Sequence, residues 1–189
     1  MIECLVVLAV LLLFFMFTLY KIKIGIVFGC NYDKNLQLKF SSCSSLEEVK
    51  KYKTSKYTQA DIGNAFQEVE ANLKNDKYVL FIGTPCQIAG LKNMLKKDYE
   101  KLLTIDLICH GVPSQKYLDD YITSLNLEES PDALTFRGKR DFYFTLYKDD
   151  KIIYSKKNHL DPFYTAFLDG LFYRENCYSC EYANTHRVR

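Results

Sequence analysis

The chain has 189 residues, of which 48% are hydrophobic, and its 25 basic and 23 acidic residues give a net charge of +2. This composition excludes a disordered tail, and the near-neutral charge gives no reason to expect a nucleic-acid partner. Seven cysteines are an odd number for a fully paired secreted framework, and no signal-peptide cleavage site follows the hydrophobic start. A reducing, cytoplasmic compartment is therefore expected, where grouped cysteines indicate metal, cluster or redox chemistry.

The chain begins with an apolar segment, residues 1–21. Its residues 5–20 are sixteen positions without a charge, about 24 Å as a helix against about 30 Å of hydrocarbon core. Lys21 and Lys23 follow this stretch, so a membrane anchor here would leave the rest of the chain at the cytoplasmic face. The alternative is a buried helix or an atypical start of the domain, although the segment lacks the polar face of an outer helix. Both interpretations remain open.

Residues 22–189 carry the pattern of a single α/β domain. The middle of the chain alternates strands with helices, which predicts a mostly parallel sheet with flanking helices. The later strands follow one another closely, which predicts an antiparallel extension of that mixed sheet. Strands are expected at residues 22–28, 36–40, 78–82, 102–108, 134–136, 142–147 and 151–154, and the longer helices at residues 62–74, from Pro85 through Leu95, at 116–125 and at 160–173.

Two cysteines follow neighbouring strands of this pattern. Cys86 comes after the strand at residues 78–82, in the first turn of a helix that begins at Pro85, and Cys109 directly follows the strand at residues 102–108. The carboxyl ends of parallel strands share one edge of a sheet, and a helix N-terminus favours the thiolate that binds metal. Cys177 and Cys180 add a pair at ligand spacing. The sequence thus predicts a set of four thiolates.

Four thiolates suit either a structural zinc ion or an iron–sulfur cluster. The spacing of these four cysteines is neither a ferredoxin run nor the paired motif of a zinc ribbon. The alternative is that Cys86 and Cys109 are small buried residues, and that Cys177 and Cys180 either pair with each other or are inert. Spacing alone leaves the alternatives open.

Other candidates lie in the same strand-end turns. Gly83, beside Thr84, and Gly111 would let the backbone approach a ligand closely. His110 lies between Cys109 and Gly111, where it has either a functional or a structural role.

Two further stretches carry positive charge. Ser55, Lys56 and Tyr57 precede a helix, and a flavin site wants such a cation to stabilise the reduced ring. Residues 136–140, with the sequence FRGKR, form a basic cluster suited to phosphates. A solvated loop and an ordinary exposed turn are the alternatives for these two stretches.

Five segments together resemble one family. Their sequences are SKYTQADIG at residues 55–63, VLFIGTPCQIAGLK at 79–92, DLICHGVPS at 106–114, FRGKR at 136–140 and NCYSC at 176–180. The combination resembles the coenzyme F420 hydrogenase/dehydrogenase beta-subunit family over roughly residues 25–180. The most specific parts are GTPCQIAGL and DLICHGVPS.

This resemblance implies an iron–sulfur flavoprotein, either an oxidoreductase or an electron-transfer subunit. Family members use FAD and [4Fe–4S] clusters, pass electrons to the deazaflavin F420 or another organic acceptor, and receive them from a redox partner protein or subunit. Two cysteines match the family's motifs and two resemble its later pair, so the expected cluster ligands are Cys86, Cys109, Cys177 and Cys180. The residues expected at the flavin are Ser55, Lys56, Tyr57, Gly83, Thr84, His110 and Gly111.

The sequence also departs from that family. No ferredoxin-like C-x-x-C-x-x-C run precedes the domain, and the chain stops at Arg189, where members continue with a segment resembling D-I-T-x-G-D-F-W. These departures lead us to expect a truncated member, incomplete at its C-terminus. The alternative function is a catalytically inactive remnant, or an interaction module in which the same thiolates bind a stabilising zinc ion.

Overall fold

The computed structural model describes residues 25–138 and 141–183, which fall into two units of interleaved sequence. The first unit contains residues 25–31, 39–54 and 61–108, and the second contains residues 32–38, 55–60, 109–138 and 141–183. The apolar segment at residues 5–20 lies outside the described residues. Among the helices that are described, none is long and apolar enough to cross a membrane.

A four-stranded sheet organises the first unit, with the strand order β2-β1-β3-β4. β1 pairs in parallel with β3, and β3 pairs in parallel with β4, as the alternation of strands and helices predicts. The strands are β1 (Ile26–Tyr32), β2 (Leu38–Cys43), β3 (Val79–Gly83) and β4 (Leu102–Asp106).

Three helices accompany this sheet, α1 (Leu46–Val49), α2 (Ala65–Lys74) and α3 (Pro85–Leu95). Ser45 begins α1, since its Oγ accepts a hydrogen bond from the backbone N–H of Glu48 at 3.3 Å. One core cluster packs the two long helices against the sheet and includes the fully buried Phe28, Val69, Phe81 and Leu91. All five residues of β3 are buried, which explains its continuous apolar sequence.

The second unit has a sheet of its own. Its strands are β5 (Ala133–Thr135), β6 (Tyr143–Lys148) and β7 (Lys151–Lys157), which pair antiparallel in sequence order. The antiparallel strands therefore form a separate sheet and do not extend the parallel one. Asp149 and Asp150 both have positive φ, at 47° and 61°, and make the predicted tight turn between β6 and β7.

Aromatic side chains fill the core of the second unit, around the helices α4 (Gln115–Ser124), α5 (Pro162–Leu168) and α6 (Glu175–Tyr178). Among them Asp161 is fully buried. Its Oδ1 accepts a hydrogen bond from the backbone N–H of Tyr164 at 2.8 Å. Its Oδ2 accepts from the hydroxyls of Tyr121 at 2.6 Å and Tyr154 at 3.0 Å. The buried carboxylate thus begins α5 and is satisfied by tyrosines.

Two element bounds differ from the sequence prediction and matter for the site. The helix expected at residues 160–173 covers only Pro162–Leu168, because Gly170 takes a left-handed φ of 69° just beyond it. The strand expected to reach residue 108 ends at Asp106. Cys109 therefore lies three residues beyond that strand, in a loop.

Candidate cysteine and flavin sites

The turn that carries Cys86 is built from its immediate neighbours. Thr84 has extended backbone and Pro85 is the first residue of α3, where its missing N–H is no loss. The side chain of Gln87 folds back, and its Oε1 accepts a hydrogen bond from the backbone N–H of Thr84 at 2.8 Å. Cys86 is exposed in this first turn, with its Sγ 3.3 Å from Thr84 Oγ1. The thiol therefore lies at the helix start, where the sequence predicts it.

Gly83 has a packing role in this turn. A Cβ at Gly83 would lie 2.9 Å from Cε1 of Phe81 and 3.2 Å from Oε1 of Gln87. The residue is buried at the end of β3. The close packing of Phe81 and Gln87 is thus enough to explain why a residue without a side chain occupies position 83.

The loop that carries Cys109 depends on a distant residue. Cys109 is half-buried, His110 is exposed and Gly111 is buried with a φ of 130°. A Cβ at Gly111 would lie only 2.4 Å from Cδ2 of Tyr173. The phenol ring therefore covers the loop at the one position that has no side chain.

The C-terminal cysteine segment docks on the same loop. The backbone N–H of Arg174 donates to the carbonyl of Val112 at 3.0 Å, and the N–H of Cys177 donates to the carbonyl of Arg174 at 2.7 Å. The Sγ of Cys177 lies 3.9 Å from the carbonyl oxygen of Val112. Cys180, also half-buried, follows α6 by two residues.

The ring of Tyr173 contacts the Cys109 loop at Gly111, and Tyr173 lies four residues before Cys177. Burial raises the pKa of the Tyr173 phenol. Electrostatic interactions with Cys109, and to a smaller extent with Tyr178 and Cys177, raise this pKa further. The second unit thus brings the Cys177 segment onto the loop that carries Cys109, while the pairing of the two thiols stays a prediction. Sequence reasoning missed Tyr173, whose only signal is its place just before the cysteine pair.

The described residues contain no group of three or more histidine, cysteine, aspartate or glutamate side chains placed to hold a metal ion. Cys86 belongs to the first unit, and the other three predicted ligands belong to the second. The assignment of all four cysteines to one centre stays a prediction.

The predicted flavin segment enters the aromatic core of the second unit. The ring of Tyr57 stacks on Phe167 with centroids 4.2 Å apart and packs against Phe136 at 4.7 Å. Ser55 and Lys56 are half-buried just before it. Tyr57 thus holds this segment in place, and the backbone N–H of Gln59 ties it to the carbonyl of Pro113 in the Cys109 loop at 2.9 Å.

The basic cluster at residues 136–140 is described in part. Phe136 is fully buried in the second core. Burial lowers the pKa of Arg137, whose guanidinium lies 3.9 Å from the ring centre of Phe142. Lys139 and Arg140 are outside the described residues.

Comparison with known proteins gives one family and a structural relative. The family model that describes the C-terminal part of the coenzyme F420 hydrogenase/dehydrogenase beta subunit matches residues 76–188. A chain from a xenon-derivatized structure of the F420-reducing [NiFe] hydrogenase complex of Methanosarcina barkeri aligns with a TM-score of 0.54 and 15% identity. No protein in the curated set matches.

The structural alignment covers 87% of this chain and 56% of that relative. This chain therefore spans a little over half the length of the relative, and the likeness concerns the fold. The family match includes the Cys86 turn, the Cys109 loop and both C-terminal cysteines, and it extends over more than half of the sequence. The chain thus belongs to the coenzyme F420 hydrogenase/dehydrogenase beta-subunit family.

Proposed function

We propose that this chain is an iron–sulfur flavoprotein subunit that passes electrons between a [4Fe–4S] cluster and a flavin, and from the flavin to an organic hydride acceptor. Membership of the family supports the oxidoreductase class. The observation that supports the proposal is the docking of the Cys177 segment on the Cys109 loop, where the Sγ of Cys177 lies 3.9 Å from the carbonyl oxygen of Val112. Two cysteine-bearing segments far apart in sequence thus meet in a chain of a redox family.

The donor set fits a cluster because all four candidates are thiols. Cys86, Cys109, Cys177 and Cys180 would hold the cluster, which when bound supplies one-electron transfer. Thr84 lies beside Cys86 with its Oγ1 3.3 Å from the Sγ, so its hydroxyl can orient that thiolate. Hydrogen bonds of this kind to sulfur also adjust a reduction potential.

The segment at residues 55–57 would hold the flavin. Lys56 supplies the cation, while Tyr57 is stacked on Phe167 and so fixes the segment. A cation of this kind stabilises the negative charge of a reduced flavin. The remaining residues proposed at the flavin are Ser55, Gly83, Thr84, His110 and Gly111.

The acceptor and the partner are proposed by analogy with the similar protein. That relative is a chain of a complex that reduces F420, so we place the acceptor in the class of deazaflavins and similar hydride acceptors. Because the relative works within a complex, a second subunit or protein would supply the electrons to this chain.

The test is anaerobic purification followed by iron, sulfide, zinc and flavin analysis. We expect about four irons and four sulfides per chain, with bound flavin. Cys109→Ser and Cys177→Ser should lose most of the iron, while Cys43→Ser, which alters a buried thiol within the first unit, should keep it. A colourless protein with one zinc and no sulfide would contradict the proposal and support the zinc-stabilised interaction module.

A further inference from the structure

We propose that Tyr173 is the positioning residue of the thiol set: its ring docks on Gly111 and so holds Cys109 and Cys177 side by side before any metal binds. This inference rests on the proposed function for its purpose. Its geometry lies wholly within the second unit.

Hydrogen bonds fix the Tyr173 ring at both ends. The hydroxyl donates to the carbonyl of Phe167 at 2.8 Å. The backbone N–H donates to the hydroxyl of Tyr178 at 3.0 Å, and that hydroxyl donates in turn to the carbonyl of Gly170 at 2.8 Å. These hydrogen bonds fix the orientation of the Tyr173 ring, and in this orientation the ring contacts the Cys109 loop.

Gly111 is shaped to receive this ring. Three ring atoms of Tyr173 lie 2.4 to 2.8 Å from where a Cβ at Gly111 would stand. The φ of 130° at Gly111 is also one that residues with side chains rarely adopt. Any side chain here would push the ring away, so the close approach of loop and ring depends on the glycine.

Docking of the ring aligns the two cysteine segments. Arg174 follows Tyr173, and Val112 follows Gly111. The backbone N–H of Arg174 donates a hydrogen bond to the carbonyl of Val112 at 3.0 Å. Cys177 is then bonded to Arg174 at 2.7 Å through its backbone, and its Sγ reaches the carbonyl of Val112 at 3.9 Å. The thiol of Cys177 is therefore delivered to the loop that carries Cys109.

An arranged pair of thiols binds a thiophilic ion more tightly than a mobile pair, because less conformational entropy is lost on binding. Tyr173 would supply this advantage without being a ligand. Its loss should weaken metal affinity while leaving every thiol in the protein.

The first measurement is an anaerobic titration of the reduced, metal-free protein with Cd²⁺, followed by thiolate-to-metal absorption. Tyr173→Ala and Gly111→Ala should each weaken binding about tenfold or more. Tyr173→Phe keeps the ring on Gly111 and should stay within about threefold of the wild type. The matched control is Gly170→Ala, where φ is also positive at 69° but the new Cβ would meet Tyr173 at an ordinary 3.4 Å.

The second measurement needs no metal and separates this inference from the proposed function. Phenylarsine oxide forms two As–S bonds with a close pair of thiols and releases water. In a Cys180→Ser background, peptide mapping should find arsenic bridging Cys109 and Cys177, and Tyr173→Ala and Gly111→Ala should remove the bridge. A purified protein without iron would overturn the proposed function and leave this bridge intact.

Two results would overturn the positioning role. One is an unchanged bridge and Cd²⁺ affinity in both Tyr173→Ala and Gly111→Ala. The other is an equal loss in Gly170→Ala, which would trace the effect to backbone strain and not to the ring contact. If Tyr173→Ala fails to fold, Gly111→Ala and Tyr173→Phe decide the question alone, because one breaks the contact and the other keeps it.

Discussion

The two turns that carry Cys86 and Cys109 each follow a strand of the parallel sheet, but different kinds of contact fix their conformations. The Cys86 turn is shaped by residues within three positions of it, through the fold-back of Gln87 onto Thr84. The Cys109 loop is shaped by Tyr173 and Arg174, more than sixty positions away along the chain. One thiol is placed by local structure and the other by tertiary structure.

This difference decides what a single substitution can do. A change in the Cys86 turn acts on the first turn of α3, and the rest of its helix remains. A change at the Cys109 loop separates two cysteine segments, because their alignment rests on the Tyr173 ring contact, the Arg174–Val112 backbone hydrogen bond and the contact of the Cys177 Sγ with the same carbonyl. The second unit is therefore where the proposed site is most easily lost.

Asp161 links several elements of the second unit through its hydrogen bonds. This carboxylate caps α5, and the last turn of α5 provides the carbonyl of Phe167 that accepts the Tyr173 hydroxyl. Asp161 also ties α4 to β7 through Tyr121 and Tyr154. The position of the ring thus depends on a buried polar group at the other end of α5.

The largest expected effect is from Asp161→Ala. The change removes a helix cap and leaves two partly buried hydroxyls and a buried N–H without their acceptor. Two hydrogen bonds to a charged group at about 1.5–3 kcal/mol each and a cap at about 1 kcal/mol sum to about 4–7 kcal/mol. Because the two hydroxyls can still bond to each other across 3.0 Å, we expect a loss at the low end of this range, about 4 kcal/mol, in the free energy of unfolding. Urea unfolding followed by circular dichroism measures it. Asp161→Asn, which keeps one acceptor, should lose less, and a loss below about 1 kcal/mol in Asp161→Ala would contradict this role.

Alkaline pH should weaken the second unit. Burial, followed by the hydrogen bond to Asp161, raises the pKa of Tyr121, and burial raises that of Tyr164. Because the folded state holds these protons more tightly, the stabilisation is complete below the unfolded tyrosine pKa of about 10 and falls as pH rises through the folded values. The loss is at most about 1.4 kcal/mol per pH unit for each tyrosine. Unfolding series between pH 8 and pH 11 test this, and Tyr121→Phe should show a shallower decline; an equal decline would exclude Tyr121 as a contributor.

Lys56→Ala tests whether the segment anchored by Tyr57 binds flavin. Loss of a hydrogen bond to a charged group, about 1.5–3 kcal/mol, corresponds to flavin affinity roughly ten- to a hundredfold weaker. Iron content should not change, because the lysine is not a ligand. The measurement is flavin titration of both proteins at matched iron content. Lys51→Ala, an exposed lysine in the first unit, is the control, and equal affinities for Lys56→Ala and the wild type would remove Lys56 from the site.

The local features of both units could be predicted from the sequence. The buried strand β3, the helix that begins at Pro85 and the Ser45 cap follow from apolar runs, proline and capping residues. The pair Asp149-Asp150 is likewise a turn signal in the sequence, and it predicts the hairpin between β6 and β7. Each of these features is decided by residues a few positions apart, so the sequence alone was enough.

The features that went unpredicted depend on partners distant in sequence. Nothing in the pattern of β5 to β7 says that they pair only with one another, and nothing near Tyr173 says that its ring meets Gly111. Asp161 has the pattern of an ordinary helix cap, and its two tyrosine partners lie on α4 and β7. Tertiary contacts of this kind leave no periodic signal, and only the glycine and the cysteines of the site stand out in the sequence.

The smallest effects are expected from Gly83→Ala and Gly90→Ala. This pair tests whether the Cys86 turn is independent of the Cys109 loop. The Phe81 ring lies 2.9 Å from the new Cβ at position 83, and it stacks with Phe40 at 5.1 Å and with Phe28 at 6.5 Å between ring centroids. A ring held in this way cannot yield freely, so Gly83→Ala should destabilise the protein by about 1–3 kcal/mol.

Gly90 lies exposed inside α3, where a Cβ would meet Phe66 at 3.4 Å. Alanine is the better helix former, so Gly90→Ala should instead stabilise by about 0.5–1 kcal/mol. Thermal unfolding measures the two changes, and the arsenic bridge between Cys109 and Cys177 should survive both, because neither glycine belongs to the second unit. Loss of that bridge in Gly83→Ala would show that the two cysteine turns are coupled, and the contrast between local and tertiary placement would then fail.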